Sequence, residues 1–239
     1  MNKNNQPRYE QIGVAMTSRS FEEYLKMFSL QSETLNQGSI LDVASGASSF
    51  TAEANRRGYH CISVDPLYEL TYKDISIYGE KELSSIPEKL SNIEHIFDWS
   101  YYLSVEHHQK LREDSFEIFK NDYDTIDRPS KYVKGTLPLL PFEDNTFSMV
   151  LCSHFLFLYH EQFDFQFHLH SIQEFIRVCK PDGEIRIYPL VTLTFDQYPH
   201  LEMVMKKLEK MEGIKIEKVK SNLPFIPNSP YFLRLKKRV

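Results

Sequence analysis

The sequence predicts a doubly wound α/β fold, with a seven-stranded, mostly parallel sheet and an antiparallel C-terminal hairpin. Two β-branched runs, 39–43 (SILDV) and 60–64 (HCISV), flank a helix-compatible stretch that ends on Gly58, as in a βαβ unit. Two further runs, 214–219 and 231–237, face each other across NLPFIPNSP as an antiparallel pair. In such sheets, ligands bind beyond the carboxyl ends of the strands, where the strand order reverses.

The middle of the chain supplies the remaining elements. A weak strand is predicted at 132–134 and a strong one over 146–155, after the turn-forming EDN. Apolar residues at helical spacing predict a helix that stops at the turn 180–183 (KPDG), before a strand over 184–190. These residues are Leu169, Ile172, Phe175, Ile176 and Cys179. A second helical repeat runs through Tyr198, Leu201, Val204, Met205, Leu208 and Met211, with Gly213 closing it.

Length and composition indicate one globular domain over residues 1–239. The chain is 41% hydrophobic and 26% charged, which is ordinary for a globular protein. No apolar run approaches the roughly 18 residues of a membrane span, and the polar start has no secretory core, so we expect a cytoplasmic protein without a membrane partner. Nothing in the sequence indicates an oligomeric state. Cys61, Cys152 and Cys179 lie in apolar patterns and are expected to be small buried hydrophobes rather than disulfides or zinc ligands.

Charge is unevenly distributed along the chain. The net charge is −5, which argues against a surface that follows phosphate backbones throughout. Residues 200–239 nevertheless carry ten Lys and Arg against four Glu, or +6, leaving −11 for the rest. This segment is either a solvated basic face or a docking patch for an acidic partner.

Two segments are predicted to cover the ligand crevice. The second and third strands are about 65 residues apart, far more than a crossover needs, so residues 69–130 are expected to form an inserted helical cap, with 99–123 as its aromatic, helix-friendly part. The alternative is a helical appendage that packs elsewhere. The N-terminal cover, 1–38, contains a capping box, Ser20 to Glu23, that opens a helix through Tyr24, Met27 and Phe28.

The loop after the first strand, in ILDVASGASSF (40–50), is suited to a nucleoside rather than a pyrophosphate. A dinucleotide loop has three glycines, and here the corresponding positions are Ala44, Gly46 and Ser49. Asp65 follows the second strand nineteen residues after Gly46, where a carboxylate can accept hydrogen bonds from both ribose hydroxyls. An adenosine without phosphates satisfies this pattern.

At this point the sequence resembles the class I S-adenosylmethionine-dependent methyltransferases. The resemblance rests on four blocks in the family's order: ILDVASGASSF (40–50), VDPLY (64–68), LPFEDNTFSMVLCSHFLF (140–157) and RVCKPDGEIRIY (177–188). The family implies S-adenosylmethionine as cofactor and a transferred methyl group. No metal is expected.

The resemblance also implies roles for individual residues. Asp42 would hold the cofactor's amino group, directly or through water, and Ala44, Ser45 and Gly46 would contact its methionine part. Asp65 would take the ribose, and Leu67, beside Pro66, would lie against the adenine. Ser153 and His154 would border the sulfonium.

The sequence departs from the family at the adenine site. Members often have an aspartate after the third strand that receives the adenine amino group, and the aligned position here is Thr136, beside Leu137. A hydroxyl or a backbone carbonyl could substitute. KPDG replaces the more usual KPGG, which affects only a turn that Asp tolerates.

Methyl transfer needs little catalytic machinery beyond positioning and a dry pocket. A general base helps if the acceptor is a hydroxyl or a protonated amine. His154 is the first candidate, with a purely cofactor-shaping role as the alternative, and Tyr188 is the second; the other histidines of the region are His160, His168 and His170. A metal site at His168, His170 and Asp164 is disfavoured because an i, i+2 pair on a helix points in different directions.

Some further residues have two open interpretations. Arg19 could pair with the cofactor carboxylate or be an ordinary surface arginine. Aromatic residues that belong either to a substrate pocket or to the core are Trp99, Tyr101, Tyr102, Phe155, Phe157 and Tyr159.

The leading hypothesis is methyl transfer to a small molecule, and a nucleic-acid partner is not expected. The alternatives are an RNA or protein methyltransferase that docks through the basic C-terminal segment, and a regulatory module that binds the cofactor without turnover.

Overall fold

A computed structural model describes residues 7–223 and 225–238. Its central sheet has seven strands in the order β3-β2-β1-β4-β5-β7-β6. The strands are β1 Ile40–Val43, β2 Cys61–Val64, β3 Tyr132–Val133, β4 Phe147–Ser153, β5 Cys179–Tyr188, β6 Ile214–Lys220 and β7 Tyr231–Lys237. The first five pair in parallel and β7 runs antiparallel to both β5 and β6. The predicted fold class is therefore confirmed.

The described residues also form eight α-helices. They are α1 Phe21–Met27, α2 Ser32–Leu35, α3 Phe50–Arg56, α4 Tyr72–Ser91, α5 Val105–Tyr123, α6 Arg128–Lys131, α7 Phe165–Val178 and α8 Leu201–Leu208. Two 3₁₀ turns, Pro66–Glu69 and Glu94–Ile96, complete the regular structure.

The sheet separates two apolar layers because its strands alternate their side chains. Ile40 and Met149 face the layer that contains α1, where Tyr24 stacks on Phe50 at 4.4 Å between ring centroids. Leu41 and Val150 face the opposite layer. The predicted capping box is confirmed: the Ser20 hydroxyl accepts the Glu23 N–H, and the Glu23 carboxylate accepts the Ser20 N–H. Residues 1–6 of the predicted cover lie outside the described residues.

The segment between β2 and β3 is helical, as predicted. Its two long helices, α4 and α5, pack against each other, and Gly79 permits this contact because a Cβ there would lie 2.4 Å from the Phe116 ring. Both helices contribute to cavity walls described below.

Three boundaries, in two helices, were predicted wrongly. Cys179 is the first residue of β5 rather than the last turn of α7, since it pairs with Phe147. The turn with Asp182 at φ +61° then lies inside the strand as an irregularity. Tyr198 and Met211 lie outside α8, which spans only Leu201–Leu208.

Candidate active site at the carboxyl end of the sheet

A cavity of about 190 Å³ opens at the carboxyl ends of β1 and β2, beside β4, where the strand order reverses. The predicted site residues on its wall are Ala44, Asp65, Pro66, Leu67, Thr136, Leu137 and His154. Residues that the sequence did not single out also line it: Val14, Ala15, Thr17, Val43, Val64, Gly135, Leu140, Phe163 and Phe167. We call it the first cavity.

Asp65 supplies the carboxylate of the first cavity. One oxygen accepts the Gly46 N–H at 3.0 Å and the other accepts the Leu67 N–H at 2.9 Å. Each carboxylate oxygen keeps a second lone pair, so the group can still accept from a ligand. Burial raises the pKa of Asp65 above its usual value, although the two backbone hydrogen bonds oppose this.

The N-terminal segment docks directly on the loop between β1 and α3. Thr17 accepts the Ala47 N–H at 2.9 Å, and Arg19 accepts the Ser49 N–H at 3.0 Å. Gly46 has φ +57°, and a Cβ on it would lie 3.0 Å from the Thr17 oxygen and 3.1 Å from the Thr17 nitrogen. The glycine therefore makes room for the chain's own cover, which the sequence reasoning missed.

Four residues predicted to contact the cofactor are not on the wall of the first cavity: Asp42, Ser45, Gly46 and Ser153. Asp42 is fully buried, and its carboxylate accepts hydrogen bonds from the Tyr24 hydroxyl at 3.1 Å and the Ser45 hydroxyl at 2.7 Å. Burial raises its pKa to about 7. Asp42 is not on the wall, so the cavity shows no direct hydrogen bond from Asp42 to the cofactor's amino group. The roles of these four residues stay predictions.

A second cavity, of about 100 Å³, adjoins the first and shares Ala15, Thr17 and His154 with it. The inserted helical segment supplies one side of its wall: Ile86, Leu90, Phe97, His108 and Arg112. The other side comes from the N-terminal segment, the segments after β4 and β5, and the link between β6 and β7: Tyr9, Arg19, Leu158, Tyr159, Leu193, Phe195, Phe225 and Ile226. The inserted segment thus forms part of the wall of this cavity, and its role as a cap over a bound ligand stays a prediction.

His154 lies between the two cavities, directly after β4. Its N–H donates to the Tyr188 carbonyl at 2.6 Å, and its Nδ1 lies 2.9 Å from the Ser153 hydroxyl. Burial, with smaller effects of Arg19 and Arg112, holds its pKa well below the usual value, so the ring is neutral at pH 7. Its backbone has φ +52°, a conformation that is rare outside glycine.

The other candidate groups line neither cavity, although the Tyr188 ring packs against the His154 ring at 5.3 Å between centroids. His160, His168, His170 and Tyr188 are on neither wall. His168 is buried and His170 exposed, as expected for an i, i+2 pair, and Asp164 caps α7 by accepting the Phe167 N–H at 2.8 Å. Of the six aromatic candidates, Phe155 lines the first cavity and Tyr159 the second, and the other four line neither. The three cysteines are buried and free.

A family model described as a methyltransferase domain matches residues 109–187, from α5 to the end of β5. The chain belongs to the class I S-adenosylmethionine-dependent methyltransferase family. It is a methyltransferase, and its cofactor is S-adenosylmethionine.

One curated protein and two solved structures are among those similar to this methyltransferase. An uncharacterized protein of Methanocaldococcus jannaschii is 35% identical over 195 residues, which cover 81% of this chain and 86% of that protein. A solved methyltransferase from Aquifex aeolicus is 14% identical with a TM-score of 0.41, covering 89% of this chain and 90% of that one. An O-methyltransferase family protein from Burkholderia thailandensis is 11% identical with a TM-score of 0.49, covering 91% of this chain and 55% of that one.

Among the described residues of this methyltransferase, no helix combines the length and apolar character that crossing a membrane requires. The same residues contain no cluster of three His, Cys, Asp or Glu side chains that could hold a metal ion.

Proposed function

We propose that this methyltransferase transfers the methyl group of S-adenosylmethionine to a small molecule held in the second cavity. The observation that carries the proposal is the shared wall: Ala15, Thr17 and His154 line both cavities. An atom at that junction can therefore approach an occupant of the first cavity while its own molecule is held in the second. Proximity and orientation of this kind are the main requirement of a displacement reaction.

The first cavity suits an adenosyl group. Asp65 would accept the ribose hydroxyls with its free lone pairs, since its carboxylate is held in place by Gly46 and Leu67. Leu67, Leu137 and the neighbouring apolar wall would contact the adenine, and Thr136 would face its edge. Ala44, at the end of β1, would border the methionine part on its way towards His154.

The cofactor and the protein supply different parts of the reaction. S-adenosylmethionine supplies a methyl group on a sulfonium, so the leaving group is already attached. The chain's residues exclude water and align the acceptor at the junction. His154 is neutral, its Nδ1 is engaged by Ser153, and Nε2 would accept a proton from an acceptor hydroxyl or ammonium.

The structure's charge pairing favours a small acceptor over RNA. In the basic C-terminal hairpin, Lys218 pairs with Glu202 at 2.7 Å, and Lys236 pairs with the buried Glu184 of β5 at 2.8 Å. The link between these strands contributes the apolar Phe225 to the second cavity instead of a basic contact. The cytoplasmic location expected from the sequence belongs to this proposal as well.

Transfer of labelled methyl from the cofactor into a cell extract tests the proposal. We expect label in the low-molecular-mass fraction, which nuclease and protease treatment leave unchanged. Label in RNA or protein would contradict the small-molecule acceptor, and a steep salt dependence of RNA binding would then support docking through the basic hairpin. Tight cofactor binding without transfer into any fraction would indicate the regulatory module.

A further inference from the structure

A buried charge cluster forms one corner of the second cavity. Glu23 of α1 is fully buried, and its carboxylate accepts hydrogen bonds from the Arg112 guanidinium and the Tyr102 hydroxyl. The Arg19 guanidinium lies 3.4 Å from the same carboxylate. Arg112 is 2% exposed and Arg19 is 8% exposed, so two cations share one carboxylate away from bulk water.

Three polar atoms at this corner of the second cavity have no partner in the protein. Arg19 Nε, Arg112 Nε and His108 Nδ1 are buried and have no hydrogen-bond partner among the described residues. All three side chains line the second cavity, and the two guanidinium Nε atoms are donors. A buried polar atom without a partner costs about 1–3 kcal/mol, and more when it is charged, so three of them at one cavity require an explanation.

The charge balance gives the same indication. Burial raises the pKa of Glu23, but Arg112 and then Arg19 lower it by more than burial raises it. The net pKa is therefore below its usual value, and the carboxylate is ionised. It neutralises one guanidinium, and the cluster keeps one positive charge. No Asp or Glu side chain is among the residues that line the second cavity. Buried charges are normally paired, and here the missing partner is an anion.

The remainder of the wall is apolar and aromatic, with Phe97, Phe195 and Phe225 among its residues. This surface matches a hydrocarbon or aromatic body rather than a polar one. On the basis of the proposed function, we propose that the methyl acceptor is a small apolar molecule with one carboxylate, and that this carboxylate binds Arg19 and Arg112. A carboxylate matches the planar donor pair of a guanidinium, and this anchor orients the acceptor towards His154.

A carboxylate could also come from the methionine part of the cofactor. That group carries an ammonium beside its carboxylate, and an ammonium would be placed near two guanidinium groups with no lining carboxylate to receive it. The acceptor is therefore the better match. The two sources make different predictions for an Arg19 variant.

The test is calorimetry with S-adenosylhomocysteine and with a panel of aromatic and alkyl monocarboxylates. Each carboxylate is paired with its neutral amide and its amine, with and without saturating S-adenosylhomocysteine. The variants are Arg19→Gln, which removes the unused donor, and His108→Phe, which keeps the ring contacts and removes Nδ1. Arg57→Gln, an exposed arginine outside both cavities, is the matched control.

We expect at least one carboxylate to bind wild type roughly tenfold or more tightly than its amide, and its amine not to bind. Arg19→Gln and His108→Phe should each reduce that preference, while S-adenosylhomocysteine affinity changes less than about twofold. Arg57→Gln should behave as wild type. Thermal unfolding shows which variants are folded, and either of the two suffices for the test.

Three results would overturn the inference: no carboxylate binds, amides bind as well as carboxylates, or Arg19→Gln weakens S-adenosylhomocysteine but leaves the carboxylate preference intact. The last result would assign the arginines to the cofactor. Failure of wild type to bind S-adenosylhomocysteine would instead remove the proposed function, whatever the carboxylates do.

Discussion

Replacing Gly46 by alanine should loosen the N-terminal segment from the loop after β1. A non-glycine residue at φ +57° costs about 1 kcal/mol. The added methyl would also lie 3.0 Å from the Thr17 oxygen, a backbone atom that cannot rotate away. Thr17 must shift, which weakens its 2.9 Å hydrogen bond from the Ala47 N–H by about 1 kcal/mol. The free energy of unfolding should therefore fall by about 2 kcal/mol.

Gly58→Ala is the matched control. Gly58 also has a positive φ, +87°, but an added Cβ would meet nothing within 4 Å. It should cost about 1 kcal/mol, the conformational contribution alone. Urea unfolding followed by circular dichroism measures both variants. Equal losses would refute the claim that Gly46 is needed for contact with Thr17.

Three further predictions concern single side chains. His154→Asn, which tolerates the positive φ, should lower kcat about 100-fold or more if His154 is the general base, and this loss should exceed any loss of S-adenosylhomocysteine affinity. His154 should add no ionisation to the wild-type kcat/KM profile above about pH 6.5, because its ring is already neutral. Burial lowers the pKa of His168 to about 4, so the unfolded chain takes up a proton at this residue first as pH falls. His168 should therefore account for a loss of about 2 kcal/mol in the free energy of unfolding between pH 7 and pH 5. His168→Phe should remove that part of the pH dependence, as measured by urea titrations. Ser20→Ala should cost about 1 kcal/mol through loss of the helix cap, whereas Ser20→Gly should cost only a few tenths, as measured by thermal unfolding.

Local features of the fold were predictable because they depend on neighbours in sequence. The capping box of Ser20 and Glu23 forms within one turn, and the Asp182 turn needs only a residue that tolerates positive φ. Cys179 was misassigned because its partner, Phe147, is 32 positions earlier. Tyr198 lies outside α8 because its N–H donates to the Leu190 carbonyl, a contact that helical periodicity does not reveal.

Some residues of the site were likewise predictable from the sequence, and others were not. Asp65 and Leu67 could be placed because they follow a strand directly, and their position on a parallel sheet determines which edge they reach. The ion pair of Arg112 with Glu23 spans 89 positions and depends on how the inserted helices fold onto α1. No spacing rule predicts such a contact, and the second cavity therefore emerged only from the structure.

Calorimetric titration of S-adenosylhomocysteine into wild type, Asp65→Asn and Glu69→Gln tests the central claim, that the first cavity holds the cofactor through Asp65. Glu69 is the control because it is a carboxylate outside both cavities, paired with Lys134. We expect wild type and Glu69→Gln to bind one equivalent alike, and Asp65→Asn to bind more weakly by about 1–3 kcal/mol. An Asp65→Asn affinity equal to that of wild type, or no binding by wild type, would contradict the account.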